Sequence, residues 1–188
     1  MKLIYLHGFN SSNKGSTARE LSRLFPELIA VTYDYCNPNK AFEQINSLIT
    51  NELKDEKEIV LIGSSLGGFW ANHFAQLFNL KCLLINPSLI PSRSLTKYIG
   101  SNTNYSTNQI KTLTIENCNS YSKYETNINE NTFRTVIISM NDTIVNYYET
   151  IELLEGSKFI FHPLEGHQFK DYQFLEKEIN TLINTIAI

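Results

Sequence analysis

The segment Ile59-Val60-Leu61-Ile62 runs directly into Gly63-Ser64-Ser65-Leu66-Gly67, and a stretch with helical character follows from Gly67 to Phe78. A continuously apolar run suits a strand covered on both faces, as in a parallel sheet. A Gly-X-Ser-X-Gly pattern between such a strand and a helix is what a sharp strand-to-helix turn with an exposed serine requires. The central serine of that turn is strained, so only small neighbours fit, and Gly63, Gly67 and Gly68 supply the space. The plainer reading is a Gly/Ser turn that starts a helix with Ser64 or Ser65 as its N-cap. The frame of the pattern selects Ser65 as nucleophile and leaves Ser64 as a packing or hydrogen-bonding neighbour.

The rest of the chain keeps the same rhythm. Lys2 to Leu6 reads as a strand, and Ser16 to Phe25 follows with Ala18, Leu21 and Leu24 at helical spacing. Leu28 to Tyr33 is the next strand, and Phe42, Ile45, Leu48, Ile49 and Leu53 mark a second helix. Cys82 to Ile85, Thr135 to Met140 and Lys158 to His162 are further strands, and Phe174, Ile179, Leu182 and Ile186 give the tail a helical period. Strands alternating with helices predict an α/β chain with a mainly parallel sheet of about six strands and helices on both faces. Right-handed crossovers then bring the C-terminal ends of all strands to one edge, where ligand sites of such sheets lie.

A length of 188 residues predicts one domain spanning the whole chain. One region breaks the rhythm. Residues 87–131 are rich in Ser, Thr and Asn, and a structureless loop of that length is uncommon in a compact domain. Short helices or a lid-like excursion over the active edge would account for it. The net charge of −3 and the absence of any Lys/Arg run argue against nucleic acid or anionic lipid as a partner. No segment approaches the length of a membrane span. The apolar N-terminal stretch is too short for a secretion signal, and the three cysteines Cys36, Cys82 and Cys118 show no metal-like pairing. Free buried thiols in the cytoplasm are therefore expected, with no metal or cofactor.

A serine hydroxyl is a weak nucleophile until a base takes its proton. Of four histidines, His7 precedes the nucleophile, His73 lies within the helix after the turn, and His162 ends the last strand. His167, in the loop Glu165-Gly166-His167-Gln168-Phe169, fits the chain order nucleophile, acid, histidine. His162 is the alternative base. Asp142 follows the strand Thr135–Met140 directly, which places it at the same edge, although a turn aspartate that caps the next helix would look the same. For the oxyanion, the backbone N–H of Leu66 is one expected donor. The N–H of Phe9, in His7-Gly8-Phe9-Asn10-Ser11-Ser12 after the first strand, is the other. His7 would then hold this loop.

Tyr5-Leu6-His7-Gly8-Phe9-Asn10-Ser11-Ser12, Gly63-Ser64-Ser65-Leu66-Gly67-Gly68-Phe69, Asn86-Pro87 closing a strand, and Leu95-Thr96-Lys97-Tyr98-Ile99-Gly100 together resemble the YqiA-type bacterial esterases. The likeness runs over essentially the whole chain. It implies a compact α/β-hydrolase with carboxylester or thioester hydrolase activity on a small-molecule acyl substrate. It also implies Ser65 as nucleophile, Asp142 as acid and His167 as base. Where family members tend to show a second Gly and an Asn before the base, this chain has Glu165-Gly166-His167; where Thr-Gly-Asp is common before the acid, it has Met140-Asn141-Asp142. Phe69, Leu95 and Tyr98 are the expected substrate-binding residues, under a lid short enough to favour short to medium acyl chains. A carbon–carbon hydrolase or lyase would use the same triad on another substrate, and a non-catalytic binding protein would need only the sheet.

Overall fold

The computed structural model describes residues 1–56, 58–125 and 132–185. Ile186 of the expected tail helix and residues 126–131 of the expected excursion lie outside them. In chain order the elements are β1 (Lys2–Leu6), α1 (Ser16–Leu24), β2 (Ile29–Val31), α2 (Pro38–Asp55), β3 (Ile59–Ser64), α3 (Leu66–Phe78) and β4 (Lys81–Ile85). After β4 come α4 (Pro91–Ser94), a 3-10 turn at Thr96–Tyr98, β5 (Gly100–Thr103), β6 (Ile110–Leu113), α5 (Ile115–Ser120) and a second 3-10 turn at Tyr121–Lys123. The chain ends with β7 (Arg134–Ser139), α6 (Tyr147–Leu153), β8 (Lys158–His162) and α7 (Tyr172–Asn184).

Six strands form one sheet in the order β2-β1-β3-β4-β7-β8, and every neighbouring pair is parallel. The chain leaves β1 toward β2 on one side and returns to β3 on the other. The order therefore reverses between β1 and β3, and a crevice opens outside their C-terminal ends. Both the His7–Ser12 loop and the Ser65 turn emerge there. Helix α2 starts cleanly because Asn37 accepts a hydrogen bond from the Lys40 N–H at 3.1 Å and Pro38 occupies the first turn. Strand β2 is shorter than the apolar pattern Leu28–Tyr33 suggests. Tyr33 leaves the ladder to bury its ring, and its hydroxyl donates to the His7 carbonyl.

Side chains alternate across each strand, so the sheet feeds two cores. Ile4, Leu6, Leu61 and Leu84 face α2 and α3; Leu3, Tyr5, Ile62 and Leu83 face α1 and α7. Trp70 of α3 is fully buried in the first core, with Phe69, Phe74, Tyr121 and Tyr124 around it at centroid distances of 4.9 to 5.9 Å. Trp70→Ala is expected to lower stability by roughly 3–5 kcal/mol. Urea unfolding at an unchanged m value measures it, and a loss below about 1 kcal/mol would mean that the cluster repacks.

The region that breaks the rhythm is ordered where it is described. β5 and β6 pair antiparallel, and their connection is tied to the loop after β1. Asn104 is buried there, its amide donating to the Ser11 carbonyl at 2.7 Å, while the Tyr105 N–H donates to the Asn10 carbonyl at 2.8 Å. Leu95, Leu113, Cys118 and Tyr121 are buried in the first core, which fastens the segment onto the sheet. Cys36, Cys82 and Cys118 are free and buried. Among the described residues, no helix is long and apolar enough to cross a membrane.

Candidate active site

Ser65 stands between β3 and α3 with φ 53° and ψ −119°, a conformation that L-residues rarely adopt. Holding a non-glycine residue there costs on the order of 1–3 kcal/mol. Its backbone is held on both sides: the N–H donates to the Ile85 carbonyl at 3.0 Å, and the carbonyl accepts from Gly68 at 2.9 Å and Ser88 at 3.1 Å. The turn closes only without side chains beside it. A Cβ on Gly67 would lie 1.9 Å from the Leu6 carbonyl oxygen, and one on Gly63 would lie 2.1 Å from that of Gly67. Ser64 lines the same cleft, its hydroxyl engaging Tyr5.

His167 reaches this serine from the loop after β8. Its Nε2 lies 3.1 Å from Ser65 Oγ, and its Nδ1 lies 2.8 Å from Asp142 Oδ2. The carboxylate can only accept, so Nδ1 carries the proton and the Nε2 lone pair faces the hydroxyl. The Asp142 side chain is 2% exposed and that of His167 26% exposed. Burial alone would push the Asp142 carboxyl up. The His167 contact and the N–H groups of Val145 and Ile144, which donate to Oδ1 at 3.0 and 2.7 Å, outweigh it and hold the carboxyl below its ordinary range. Asp142 is thus a negative charge placed against the ring that would have to become positive.

The other histidines are otherwise engaged. His162 Nε2 lies 3.3 Å from Asp171 Oδ2 while its Nδ1 accepts from the Glu165 N–H at 3.3 Å. His73 lies within the aromatic cluster with Nδ1 3.0 Å from the Tyr124 carbonyl. His7 is stacked on Tyr33 at 4.3 Å and donates to the Gly8 carbonyl at 2.8 Å; burial pushes its pKa down to about 4, so it is neutral near pH 7. It holds the loop that follows β1.

That loop packs against Ser65. A Cβ on Gly8 would lie 3.3 Å from Ser65 Cβ. Leu66 opens α3, so its N–H lacks a partner one turn back. The Phe9 N–H donates to no protein acceptor among the described residues. Ser65, His167, Phe9 and Leu66 all line a cleft of about 610 Å³, together with the expected Leu95 and Tyr98. Phe69, expected to bind substrate, does not line it. Its ring is 3% exposed and packs edge-on against Trp70 and Tyr121, because an apolar ring gains more inside an aromatic core than beside a wet cleft.

Asn86 was missed by the motif reading. It is buried at the end of β4 with φ 44°. Its Oδ1 accepts from the Ser139 N–H at 2.8 Å, and its Nδ2 donates to Ser139 Oγ, the Gly166 carbonyl and the His167 carbonyl at 2.9, 3.1 and 3.2 Å. One side chain thus ties β4, β7 and the histidine loop together. The signal was a polar residue at a strand's C-terminal end, just before Pro87. Among the described residues, no three His, Cys, Asp or Glu side chains gather as a metal site would require.

Known proteins of similar shape include the mouse alpha/beta hydrolase domain-containing protein 10, with TM-score 0.74 and 16% identity over 97% of this chain and 89% of that one. Another is a methylesterase, MES16, from Arabidopsis, with TM-score 0.67 and 13% identity over 99% of this chain and 100% of that one. At such identities the likeness establishes the α/β-hydrolase fold and nothing finer. By sequence, a UPF0227 protein of Shewanella woodyi is 31% identical over 108 residues, 55% of this chain and 60% of that protein. One from Vibrio vulnificus is 26% identical over 181 residues, 93% of this chain and 95% of the relative. The sequence matches the family described as "Uncharacterised protein family (UPF0227)" across residues 2–185, and the chain belongs to that family, in line with its resemblance to the YqiA-type proteins.

Proposed function

We propose that the chain is a serine hydrolase that cleaves carboxylic esters or thioesters of short to medium acyl chains through an acyl-enzyme. The hydrogen-bonded line from Asp142 through His167 to Ser65 carries this reading. Ester chemistry on the same fold, as in the Arabidopsis methylesterase, is consistent with it. Ser65 Oγ attacks the acyl carbon while its proton passes to His167 Nε2, and the carbonyl electron pair moves onto the oxygen. The N–H groups of Phe9 and Leu66 stabilise that oxyanion. Collapse of the tetrahedral intermediate breaks the bond to the leaving oxygen or sulfur, which takes the proton from His167. A water then gives its proton to His167 and its oxygen to the acyl carbon, and the acid leaves as Ser65 recovers its proton. Asp142 stabilises the imidazolium at both stages.

A fluorophosphonate should form a covalent adduct that peptide mass mapping places on Ser65. An adduct on Ser64, or none, would remove the reading. Leu95 and Tyr98 are assigned the acyl side. Leu95→Ala and Tyr98→Ala should shift the chain-length profile toward longer acyl groups, by about tenfold or more in relative kcat/KM for each methylene newly accommodated. Unchanged profiles in both variants, each shown to be folded by circular dichroism, would show that these side chains do not shape the acyl site.

A further inference from the structure

The two walls of the cleft differ in chemistry. Phe9, Leu66, Leu95 and Tyr98 pack with the core under α2 and α3, whereas Tyr5, Ala18 and Phe169 belong to the core under α1 and α7. The second wall also carries Lys14, Ser16, Thr17, Arg19 and Gln168. Gln168 donates to Ser16 Oγ at 3.2 Å, so this wall continues into the loop that bears His167. Arg19 Nη1 donates to the Lys14 carbonyl at 2.9 Å, which keeps the guanidinium beside Lys14.

The chain has a net charge of −3, yet Lys14, Arg19 and Lys97 line the cleft and, among the described residues, no Asp or Glu does. Asp142 stands behind His167 with its side chain 2% exposed. Several other cations are matched by a carboxylate: Arg23 by Glu20 at 3.0 Å, Lys111 by Asp34 at 2.9 Å. Among the described residues, Lys14, Arg19 and Lys97 form no ion pair. A lone exposed lysine means little. Three cations of one sign around a concave site, in an acidic chain, create a positive potential that the low-dielectric walls focus.

We propose, on the basis of the hydrolase reading above, that the substrate carries an anion, phosphate or carboxylate, on its leaving-group half, bound by Lys14 and Arg19. The leaving group takes its proton from His167 Nε2 and so departs beside the His167 loop, which adjoins the Lys14 and Arg19 wall. The acyl half lies toward Leu95 and Tyr98. The planar fork of Arg19 suits either oxyanion, and Lys14 adds a point charge.

Paired esters test the charge and its place. 1-Butyryl-glycerol and 1-butyryl-glycerol 3-phosphate share one ester and differ by a phosphate on the leaving group; 3-butyryloxypropanoate puts a carboxylate there instead. Ethyl butyrate and monoethyl succinate move the anion to the acyl half. At low ionic strength kcat/KM should be about tenfold higher for an ester with an anionic leaving group than for its neutral partner, and the advantage should shrink with salt. Monoethyl succinate, whose anion meets only Lys97 beside Tyr98, should gain far less over ethyl butyrate. Lys14→Glu and Arg19→Glu should each bring the charged-to-neutral ratio near one, whereas Arg23→Glu, on α1 outside the cleft, should keep it. Binding of the same glycerol esters to the Ser65→Ala protein reads the preference without turnover. Tighter binding of the phosphorylated ester, with no hydrolysis of any ester by the wild type, would keep the anion site and sink the hydrolase reading. Equal binding and equal kcat/KM for charged and neutral esters, or a ratio that survives both charge reversals, would overturn the anion site while hydrolysis of the neutral esters leaves the hydrolase reading standing.

Discussion

Ser65→Ala is expected to lower kcat for p-nitrophenyl butyrate by about a millionfold, the scale at which loss of a nucleophile abolishes a triad acting as one unit. At about 1.4 kcal/mol per decade, that is roughly 8 kcal/mol of transition-state stabilisation carried through one oxygen. The fold should scarcely notice. Ser65 is the residue before α3, but its side chain makes no capping hydrogen bond there, so removing Oγ leaves no helix N–H newly unsatisfied. The two readings of this serine therefore separate in one variant. A pure N-cap would cost about 1 kcal/mol of stability and no specific activity. An attacking hydroxyl costs activity and almost no stability. A loss below about tenfold in a variant with an unchanged melting curve would show that Oγ is not the attacking atom. Ser64→Ala is the internal control, because that hydroxyl engages Tyr5 and should be dispensable for turnover.

The sheet was legible because its strands are apolar without interruption and the helices between them are periodic. Lys2–Leu6 and Lys158–His162 agree with the observed strands residue for residue, Cys82–Ile85 and Thr135–Met140 shift by a residue at one or both ends, and Leu28–Tyr33 shrinks to Ile29–Val31. Ser65, Asp142 and His167 were nameable for the same reason: each follows a strand, and a parallel sheet puts those positions at one edge. What escaped was whatever depends on contacts between distant segments. The β5–β6 hairpin alternates in burial but its apolar residues do not follow that alternation, since Ile110 is exposed, and its strands are ordered by Asn104 and Tyr105 gripping the loop after β1. Asn86-Pro87 was visible as a strand's end, but the role of Asn86 was not, because it comes from carbonyls 80 and 81 residues away. Helix α6 is only 7 residues long and starts from an asparagine cap, too short for a period to show. Phe69 was misplaced because spacing along α3 does not reveal whether the cleft or the aromatic core lies beneath a given turn.

Asp142→Asn and His167→Ala should be the next most damaging changes, by about 10⁴-fold and about 10⁶-fold in kcat. In the proposed mechanism the histidine carries the proton through both half-reactions, so its loss should approach that of Ser65. The asparagine change is subtler, since shape and size are kept. The carboxylate accepts from His167 Nδ1 at 2.8 Å and from two backbone N–H groups on its other oxygen. With the amide oxygen retained by those N–H groups, the NH₂ would face Nδ1 and require a lone pair there. The proton would then sit on Nε2 and point at Ser65, leaving the ring unable to act as base. His162→Ala supplies the contrast. Its ring is occupied by Asp171 and the Glu165 N–H, so activity should stay within about tenfold of wild type, with any loss traced to a loosened histidine loop. Steady-state kinetics on the three variants, with circular dichroism to confirm folding, decides the assignment. If His162→Ala were the more damaging histidine change, or if Asp142→Asn retained more than about a tenth of wild-type kcat, the relay running through His167 would have to be given up.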